Sequence, residues 1–445
     1  MTLSPALVKS TIVAALGGLL FGFDTAVIAG TTGALSGYFQ LSPAGLGLTV
    51  SIALWGTVAG ALLAGLPGDR YGRRDSLRGL AVFYLVSALG CALAWDWTSL
   101  VFSRFLAGLA IGGSSVLGPM YIAEIAPAKW RGRLVGVFQF NIVSGILLAY
   151  FSNYIVGLVA GGASEWRWKL GIAAAPAALF LVMLFLIPRS PRWLVEKRRT
   201  PEARAVLELI GEERVDAALG EMLAAVELEH RCGQERLFAA RNRMPVFLAL
   251  SIAFFNQLSG INAILYYLND IFARAGFNKV SSDLQAVAIG GTNLIFTVLA
   301  MSAIDRAGRR TLLTVGSVGT AACLAGVGWV FWTGAHERLL LWLLIGFIAS
   351  FAFSQGAVIW VYISEVFPTA VRAKGQSLGC STHWIMNALI SWIFPVVASR
   401  SKAAPFAFFA AMMVVQLVVV RALYPETKGV SLEEMERKLA AGSVE

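Results

Sequence analysis

One acid and one guanidinium lie well inside apolar stretches of this sequence and are the first candidates for chemistry. Asp24 lies about six residues, and Arg104 about five, from the outer end of its predicted span, so the two can share one depth. Such residues are expensive, because an acid in a span costs roughly 2.5–3.5 kcal/mol on insertion scales. Burial favours protonated Asp24 and a nearby Arg104 favours the carboxylate, so a small rearrangement could switch its proton affinity. The pair indicates a proton switch, with a purely structural salt bridge as the alternative.

Twelve apolar stretches are available to position these residues. The chain has 445 residues and is 57% hydrophobic and only 14% charged, whereas soluble proteins are about 25% charged. A helix needs roughly 20 apolar residues to cross a bilayer, and runs such as Val246–Phe255 lack the alternation of a transmembrane barrel. The sequence predicts an all-α integral membrane protein with spans at 10–30, 45–66, 79–95, 99–122, 134–160, 168–187, 246–270, 283–304, 311–333, 339–363, 375–397 and 404–422. Asp24 and Arg104 are the only acid and guanidinium well inside these spans.

The net charge of +10 is distributed unevenly between the loops. Basic residues crowd the loops on one side of the membrane, whereas the first loop on the other side, Thr31–Gly45, has no charge. The positive-inside rule therefore predicts that both termini and the central polar segment are cytoplasmic. Topology explains the basic excess, and we expect no nucleic-acid partner. The basic loops are Arg70–Arg78, Lys129–Arg133, Arg189–Arg243 and Arg306–Arg310.

Neither the cysteines nor the glycine-containing loops predict a bound metal or cofactor. Cys91, Cys232, Cys323 and Cys380 have no paired spacing, which argues against a disulfide framework or a metal site. The sequence contains no Gly-x-x-x-x-Gly-Lys motif for ATP. We expect no metal and no cofactor.

Two motifs recur at an offset of about 240 residues. Asp69–Arg74 and Asp305–Arg310 both read Asp-Arg-x-Gly-Arg-Arg, and Tyr121–Glu124 and Tyr362–Glu365 both read Tyr-Ile-x-Glu. Two matches at nearly one offset indicate a duplication into two bundles of six helices.

The charged residues of these motifs lie at the cytoplasmic ends of predicted helices. Each cluster by itself could be a solvated positive-inside loop. The repeated set instead predicts acid–arginine pairs that form across the two bundles and can break again, because exposed pairs are weak. The predicted cytoplasmic network consists of Asp69, Arg73, Glu124, Arg131, Arg192, Arg309, Glu365 and Arg372.

The polar segment between the bundles has a Pro-rich entry and then Glu, Arg and Leu at helical spacing. This pattern predicts short amphipathic helices, with a flexible linker as the alternative. The predicted domains are a bundle at 1–187, a cytoplasmic helical linker at 188–244, a second bundle at 245–423 and a cytoplasmic tail at 424–445.

The motifs, taken in order along the whole chain, resemble those of the sugar porter family of the major facilitator superfamily. This family includes bacterial proton-coupled xylose and glucose symporters and animal glucose facilitators. The resemblance implies the major facilitator fold and transport of a monosaccharide by alternating access. The family's facilitators lack the acid found here at Asp24, whereas its proton-coupled members have it, which supports symport. The motifs are Gly22–Asp24, the two Asp-Arg-x-Gly-Arg-Arg loops, Pro188–Arg192, Gln257–Asn262 and Pro425–Gly429.

A sugar site needs amide side chains and an aromatic platform in an enclosed cavity. At 1.5 Å per residue, Gln257, His383 and Asn293 lie about 15–18 Å into their spans, near the midplane where transporter sites are expected. Each amide alone could join two helices, and each tryptophan could be packing. By resemblance, the sugar-binding residues are Gln139, Asn256, Gln257, Asn262, Asn293 and Trp384, with Trp360 supporting the pocket. Gly260 and Gly356 are expected to let the seventh and tenth spans bend.

Four positions depart from the family pattern. Asn256 replaces the first glutamine of a common pair, and His383 stands where Gln or Asn usually precedes the pocket tryptophan. His383 could bind sugar, titrate, or be a satisfied polar neighbour. Ile146 is typical of glucose carriers and favours a hexose, whereas Arg189 replaces an acid, so one cytoplasmic pair of the family is expected to be missing.

The sequence thus predicts a sugar:proton symporter of the cell inner or plasma membrane that functions as a monomer and is not an enzyme. Its expected partners are a small-molecule sugar, protons and the lipid bilayer. The alternatives are a uniporter or a proton symporter for inositol or a pentose, a sugar sensor that does not transport, and a proton–drug antiporter. A drug antiporter would favour an apolar cavity.

Overall fold

The computed structural model describes residues 3–127, 129–160, 162, 164–231, 236–368, 371–430 and 432–441. Within these ranges the chain is helical throughout, with turns between helices and no strand. Cys232, one of the four cysteines of the sequence, lies outside the described residues.

Twelve helices in the described part of the chain are long and apolar enough to cross a membrane. The prediction of an all-α multi-pass membrane protein is therefore confirmed, and most ends agree with the sequence within a few residues. The largest differences are at the starts of the third and seventh spans, which begin at Arg73 and Ala240 rather than near residues 79 and 246. The spans are Pro5–Gly30, Pro43–Leu63, Arg73–Ala92, Trp97–Ile125, Arg131–Val159, Glu165–Leu186, Ala240–Tyr266, Lys279–Ile304, Arg309–Thr333, Leu339–Val366, Arg372–Arg400 and Ala404–Leu423.

Several spans are interrupted, and two of the interruptions lie beside polar residues. The seventh span breaks at Gly260, whose φ of 78° is in the left-handed region that glycine adopts at little cost. The tenth span breaks at Ser354, with φ −122° and ψ −89°, and not at Gly356 as predicted. The resulting helices are Arg243–Leu258 and Ile261–Tyr266 in the seventh span, and Leu339–Phe353 and Gln355–Val366 in the tenth.

Shorter helices join the spans. In the segment after the sixth span they bury Trp193, Leu194, Val206 and Leu207 while charged side chains such as Glu202 face water. The predicted short amphipathic helices are therefore present in the described part of this segment. The helices outside the spans are Thr32–Tyr38, Gly65–Tyr71, Pro191–Glu196, Thr200–Leu209, Val215–Arg231, Leu268–Arg274 and Leu432–Ala441.

The chain forms two compact units, each with its own apolar core. The first unit comprises Met1–Val27, Ile52–Ser152 and Ala160–Gly233. The second comprises Ile28–Ser51, Asn153–Val159 and Gln234–Glu445. In the first unit the first and fifth spans touch at Gly22, where an added Cβ would lie 1.8 Å from the backbone oxygen of Ile142. This close approach fixes the part of the first span that carries Asp24.

Candidate functional site

Asp24 and Arg104 form an ion pair inside the first unit. Arg104 Nη1 donates to Asp24 Oδ1 at 2.7 Å. The Arg104 side chain is 3% exposed and that of Asp24 is 17% exposed, so the pair is nearly removed from solvent. Because both groups lie in apolar spans, the Coulomb attraction between them is much stronger than it would be in water. Neutralising Asp24 with a proton would remove most of that attraction.

A cavity of about 20 Å³ adjoins the ion pair. Arg104 Nε is buried and has no hydrogen-bond partner among the described residues. A space of this size can hold one water, since a water needs at least about 10–15 Å³ of such volume. The cavity therefore has room for one water beside the pair. The cavity is lined by Leu20, Asp24, Tyr84, Ser87, Ala88, Cys91, Arg104, Ala107, Leu170 and Ala173.

In the second unit, neutral polar groups converge on Gln257. Its Nε2 lies 3.1 Å from Nε2 and 3.2 Å from Nδ1 of the His383 imidazole. Its Oε1 accepts from Asn262 Nδ2 at 3.0 Å, and its Nε2 lies 3.2 Å from Asn256 Oδ1. Gln257, Asn256 and His383 are all buried. These groups offer several donors and acceptors without a charge, as binding of a polyhydroxylated ligand requires.

Two indole rings flank His383. The ring centroids of Trp360 and Trp384 lie 5.0 and 5.1 Å from that of His383. Trp384 is buried, whereas Trp360 is 39% exposed. We call Asn256, Gln257, Asn262, His383, Trp360 and Trp384 the polar layer. It combines hydrogen-bonding groups with one accessible aromatic face, which is the combination expected for a sugar site.

Two predicted members lie apart from these contacts. Asn293 is buried in the eighth span, and no hydrogen bond joins its side chain to the polar layer within the described ranges. Gln139 is half-buried in the fifth span and belongs to the first unit. Their roles remain predictions from the family pattern.

Gln355 is a buried residue beside the polar layer that sequence reasoning missed. It is the first residue after the break in the tenth span, and its backbone oxygen accepts from Asn256 Nδ2 at 3.4 Å. The shorter Asn256 side chain thus touches the break as well as Gln257. An amide directly before Gly356 in an apolar span was the sequence signal that could have identified it.

The two units repeat one ionic arrangement at a helix end. Arg73 pairs with Glu124 at 3.0 Å and donates to the oxygen of Gly68 at 2.9 Å. Arg309 pairs with Glu365 at 2.9 Å and donates to the oxygen of Ile304 at 3.2 Å. In each unit the arginine begins one span and the glutamate lies at the end of another. The geometry follows the duplicated motifs closely.

The comparisons with known proteins identify the family of the chain. The family model for "Sugar (and other) transporter" matches residues 10–439. The chain belongs to this family. It is similar to the D-xylose-proton symporter of Escherichia coli (strain K12), with 35% identity over 465 residues, 96% of this chain and 94% of that protein. The glucose transport protein of Synechocystis sp. is 35% identical over 446 residues, 95% of each chain.

Solved structures show the same fold. The inward-open conformation of the xylose transporter XylE from E. coli has a TM-score of 0.86 and 34% identity, covering 97% of this chain and 99% of that one. The predicted major facilitator fold is therefore confirmed, and so is the assignment to the sugar transporters. Like its relatives, the protein is a transporter and not an enzyme.

The other four residues of the predicted cytoplasmic network make different kinds of contact in this sugar transporter. Asp69 adds a second carboxylate to Arg73 at 3.2 Å. Arg131 Nε donates to the backbone oxygen of Ala123 at 3.1 Å, whereas the charge of Arg192 acts on Glu124. Arg372 begins the eleventh span. The ion pairs of Arg73 and Arg309 lie within single units, so pairing across the bundles remains a prediction.

Two further ion pairs lie in the first unit. Arg189, which replaces an acid of the family pattern, binds Asp75 at 3.0 Å. The other pair is buried at the start of the sixth span, which begins at Glu165. At its start Lys169 Nζ lies 2.9 Å from Glu165 Oε1, one helical turn away.

Proposed function

We propose that this member of the sugar transporter family is a sugar:proton symporter that works by alternating access, with Asp24 as the proton-binding group. The observation that carries the proton assignment is the 2.7 Å pair of Asp24 and Arg104 in an otherwise apolar part of the first unit. The named relatives support the class of activity, since one is a D-xylose-proton symporter and another a glucose transport protein.

The proton step follows from the electrostatics of the pair. Ionised Asp24 is held by Arg104, and a proton on Asp24 weakens the hold, which frees both side chains to move. Protonation thereby changes the relative free energies of two conformations, and this difference is the condition for coupling. Energy comes from the proton gradient, and no cofactor takes part.

The polar layer supplies the sugar-binding step in this proposal. Sugar hydroxyls replace the mutual hydrogen bonds of Gln257, Asn262 and His383, while an indole ring packs on the sugar's weakly apolar face. His383 and Gln257 already bond one another, so removal of the sugar leaves few buried polar groups without partners. Binding and release can then both be fast. A hexose is the favoured substrate, and Gln139 and Asn293 are proposed as further ligands from the family pattern.

The proposal also covers the orientation of the chain in the membrane and its location in the cell. Both termini and the segment between the bundles lie in the cytoplasm, as the positive-inside rule indicates. The proposed bundle boundaries are at residues 187, 244 and 423. The protein functions as a monomer in this proposal. The acids and arginines of the cytoplasmic network form pairs across the two bundles and break them again during transport. The bacterial relatives favour the inner membrane.

The test is transport by purified Asp24→Asn protein in proteoliposomes. We expect the variant to lose accumulation of sugar against a gradient in response to an imposed pH difference. It should retain sugar exchange at equal concentrations, because asparagine mimics the protonated carboxyl in size and neutrality. Accumulation by Asp24→Asn would contradict the proton assignment, and loss of exchange as well as accumulation would indicate damage to the fold or to sugar binding.

A panel of hexoses, pentoses and inositols in a binding assay identifies the substrate class. The proposal expects the tightest binding for a hexose. Preference for xylose or inositol would correct the sugar and leave the coupling scheme in place, whereas tight binding of an apolar drug alone would contradict the sugar assignment.

A further inference from the structure

Three arginines converge on one carboxylate at an end of the first unit that is separate from the ion pair at Asp24 and from the polar layer. Arg74 Nη2 lies 3.0 Å and Arg78 Nη1 2.7 Å from Asp75 Oδ1, and Arg189 Nη2 lies 3.0 Å from Asp75 Oδ2. Asp75 is the only carboxylate within ion-pair distance of these guanidiniums in the described part of the chain. We call Arg74, Arg78 and Arg189 together with Asp75 the arginine cluster.

The cluster has more positive than negative charge. Three guanidiniums face one carboxylate, and two of them also bind backbone oxygens at the end of the sixth span. Arg78 Nη2 donates to Leu184 O at 3.1 Å, and Arg74 Nη1 donates to Ile187 O at 3.1 Å. A helix C-terminus contributes about half of a negative charge. An excess of at least one positive charge therefore remains.

Arg189 makes a large contribution to this imbalance. Without its charge, two arginines would face Asp75 and the end of the sixth span, and the excess would fall to about half a positive charge. Arg189 therefore turns a nearly balanced set of charges into one that attracts an anion.

The surroundings of the cluster favour a lipid over a soluble anion. The Arg78 guanidinium lies 4.1 Å from the centroid of the Phe185 ring. Phe185 is 62% exposed and its neighbour Leu186 54% exposed, at the end of a membrane span. Exposed apolar side chains at this position are suited to acyl chains. The Arg189 side chain is 32% exposed, so the cluster is in part accessible from outside.

We propose that the arginine cluster binds the phosphate group of an anionic phospholipid, with the acyl chains passing over Phe185 and Leu186. The planar, forked guanidinium matches a phosphate group, and a charge-assisted contact of this kind is stronger than a neutral hydrogen bond. The lipid would neutralise the excess charge and hold the ends of the third and sixth spans together. This site is independent of the proposed transport activity.

The test is lipid binding to the purified full-length protein, with bound lipid counted by native mass spectrometry. The protein is titrated with phosphatidylglycerol and, separately, with phosphatidylcholine. We expect a preference for phosphatidylglycerol that weakens as salt is added, because counterions screen the attraction. No preference in the unaltered protein would overturn the proposal, and this result does not depend on any variant folding.

Variants then locate the site. Arg189→Gln should weaken phosphatidylglycerol binding about fivefold, which is the usual effect of one basic residue near an anionic headgroup. The matched control is Arg133→Gln, because Arg133 is also an exposed arginine of the first unit, packs over the Trp130 ring and lies outside the cluster. Equal weakening by both variants, or none by Arg189→Gln, would overturn the proposal.

Inorganic phosphate distinguishes the two sources of a phosphate group. At equal ionic strength, phosphate should compete with the lipid somewhat better than chloride does, because the same guanidiniums bind both phosphate groups. The preference for phosphatidylglycerol should nevertheless persist at millimolar phosphate, and if millimolar phosphate abolishes that preference, the occupant is a soluble anion and the lipid assignment is wrong.

Discussion

The interiors of the two units carry different kinds of polarity, although their ends repeat one another. The first unit holds Asp24 and Arg104 as a buried charged pair. The second holds Gln257, Asn262 and His383 as a neutral hydrogen-bonded group. A carboxylate can be switched by a proton, whereas neutral amides can exchange their bonds for those of hydroxyls. The helix-end pairs are alike while the span interiors differ in charge, so under the proposed function proton coupling and sugar recognition should be separable by mutation.

The largest expected effect comes from breaking the charged pair. Arg104→Gln leaves Asp24 without its cation in an apolar region, and removing one partner of a buried pair typically costs about 3–5 kcal/mol. We expect a marked loss in the free energy of unfolding, measured by denaturation in detergent. The double variant Asp24→Asn with Arg104→Gln should recover part of that loss, since neither charge is then buried alone. A double variant as unstable as Arg104→Gln would contradict a direct interaction.

The next effect concerns the polar layer of the second unit. Gln257→Ala removes hydrogen bonds to sugar, and we expect affinity to fall by about 2 kcal/mol, or roughly thirtyfold. The remaining transport should still respond to pH, because Asp24 is untouched. Gln285→Ala is the matched control, since the Gln285 amide binds Ser281 away from the polar layer. Sugar affinity that is unchanged in Gln257→Ala, measured by calorimetry, would remove Gln257 from the site.

A smaller effect on stability is expected at the helix-end pair of the second unit, Arg309–Glu365, which a threonine hydroxyl contacts. Thr427 Oγ1 donates to Glu365 Oε2 at 2.6 Å, so the pair of the second unit has an extra hydrogen bond. Thr427→Val removes that bond while keeping the side chain's shape, and we expect a loss of about 1 kcal/mol in the free energy of unfolding. Thermal unfolding measures the effect, with Thr314→Val as a control at a hydroxyl that binds only its own helix. If Thr427→Val and Thr314→Val lose equal free energy of unfolding, the bond from Thr427 to Glu365 adds no stability beyond that of a hydroxyl bound to its own helix.

The smallest effect is expected for the histidine. His383→Gln restores the amide usual in the family and can still bond to Gln257, so we expect sugar affinity to change by less than about threefold, within the range of one hydrogen bond. The pH profile of transport should keep its shape. A profile that shifts in His383→Gln would make His383 a second titrating group and would weaken the division between a charged and a neutral unit.

The sequence predicted the fold well because its signals are strong and local. Long apolar stretches determine the spans, and the duplicated motifs at Arg73 and Arg309 determine the two bundles. The proximity of Asp24 to Arg104 could be expected from depth alone, because two charges in apolar spans gain much from pairing. The substrate family came from the motifs and not from physical reasoning.

The remaining features depend on local side-chain bonds and on contacts between distant segments that no sequence motif marks. The tenth span breaks at Ser354, whose hydroxyl donates to the oxygen of Ser350 at 2.6 Å, and not at the nearby glycine. The contact of Asn256 with Gln355 follows from that break. Arg189 donates to Asp75, a residue 114 positions away in the chain. No local pattern contains that information.

Simultaneous measurement of sugar and proton entry into proteoliposomes tests the central claim most directly. With a sugar gradient and no initial pH difference, the account predicts that sugar entry is accompanied by acidification of the interior, and that Asp24→Asn carries sugar without it. Sugar entry by the unaltered protein with no proton movement would contradict symport and identify the protein as a uniporter.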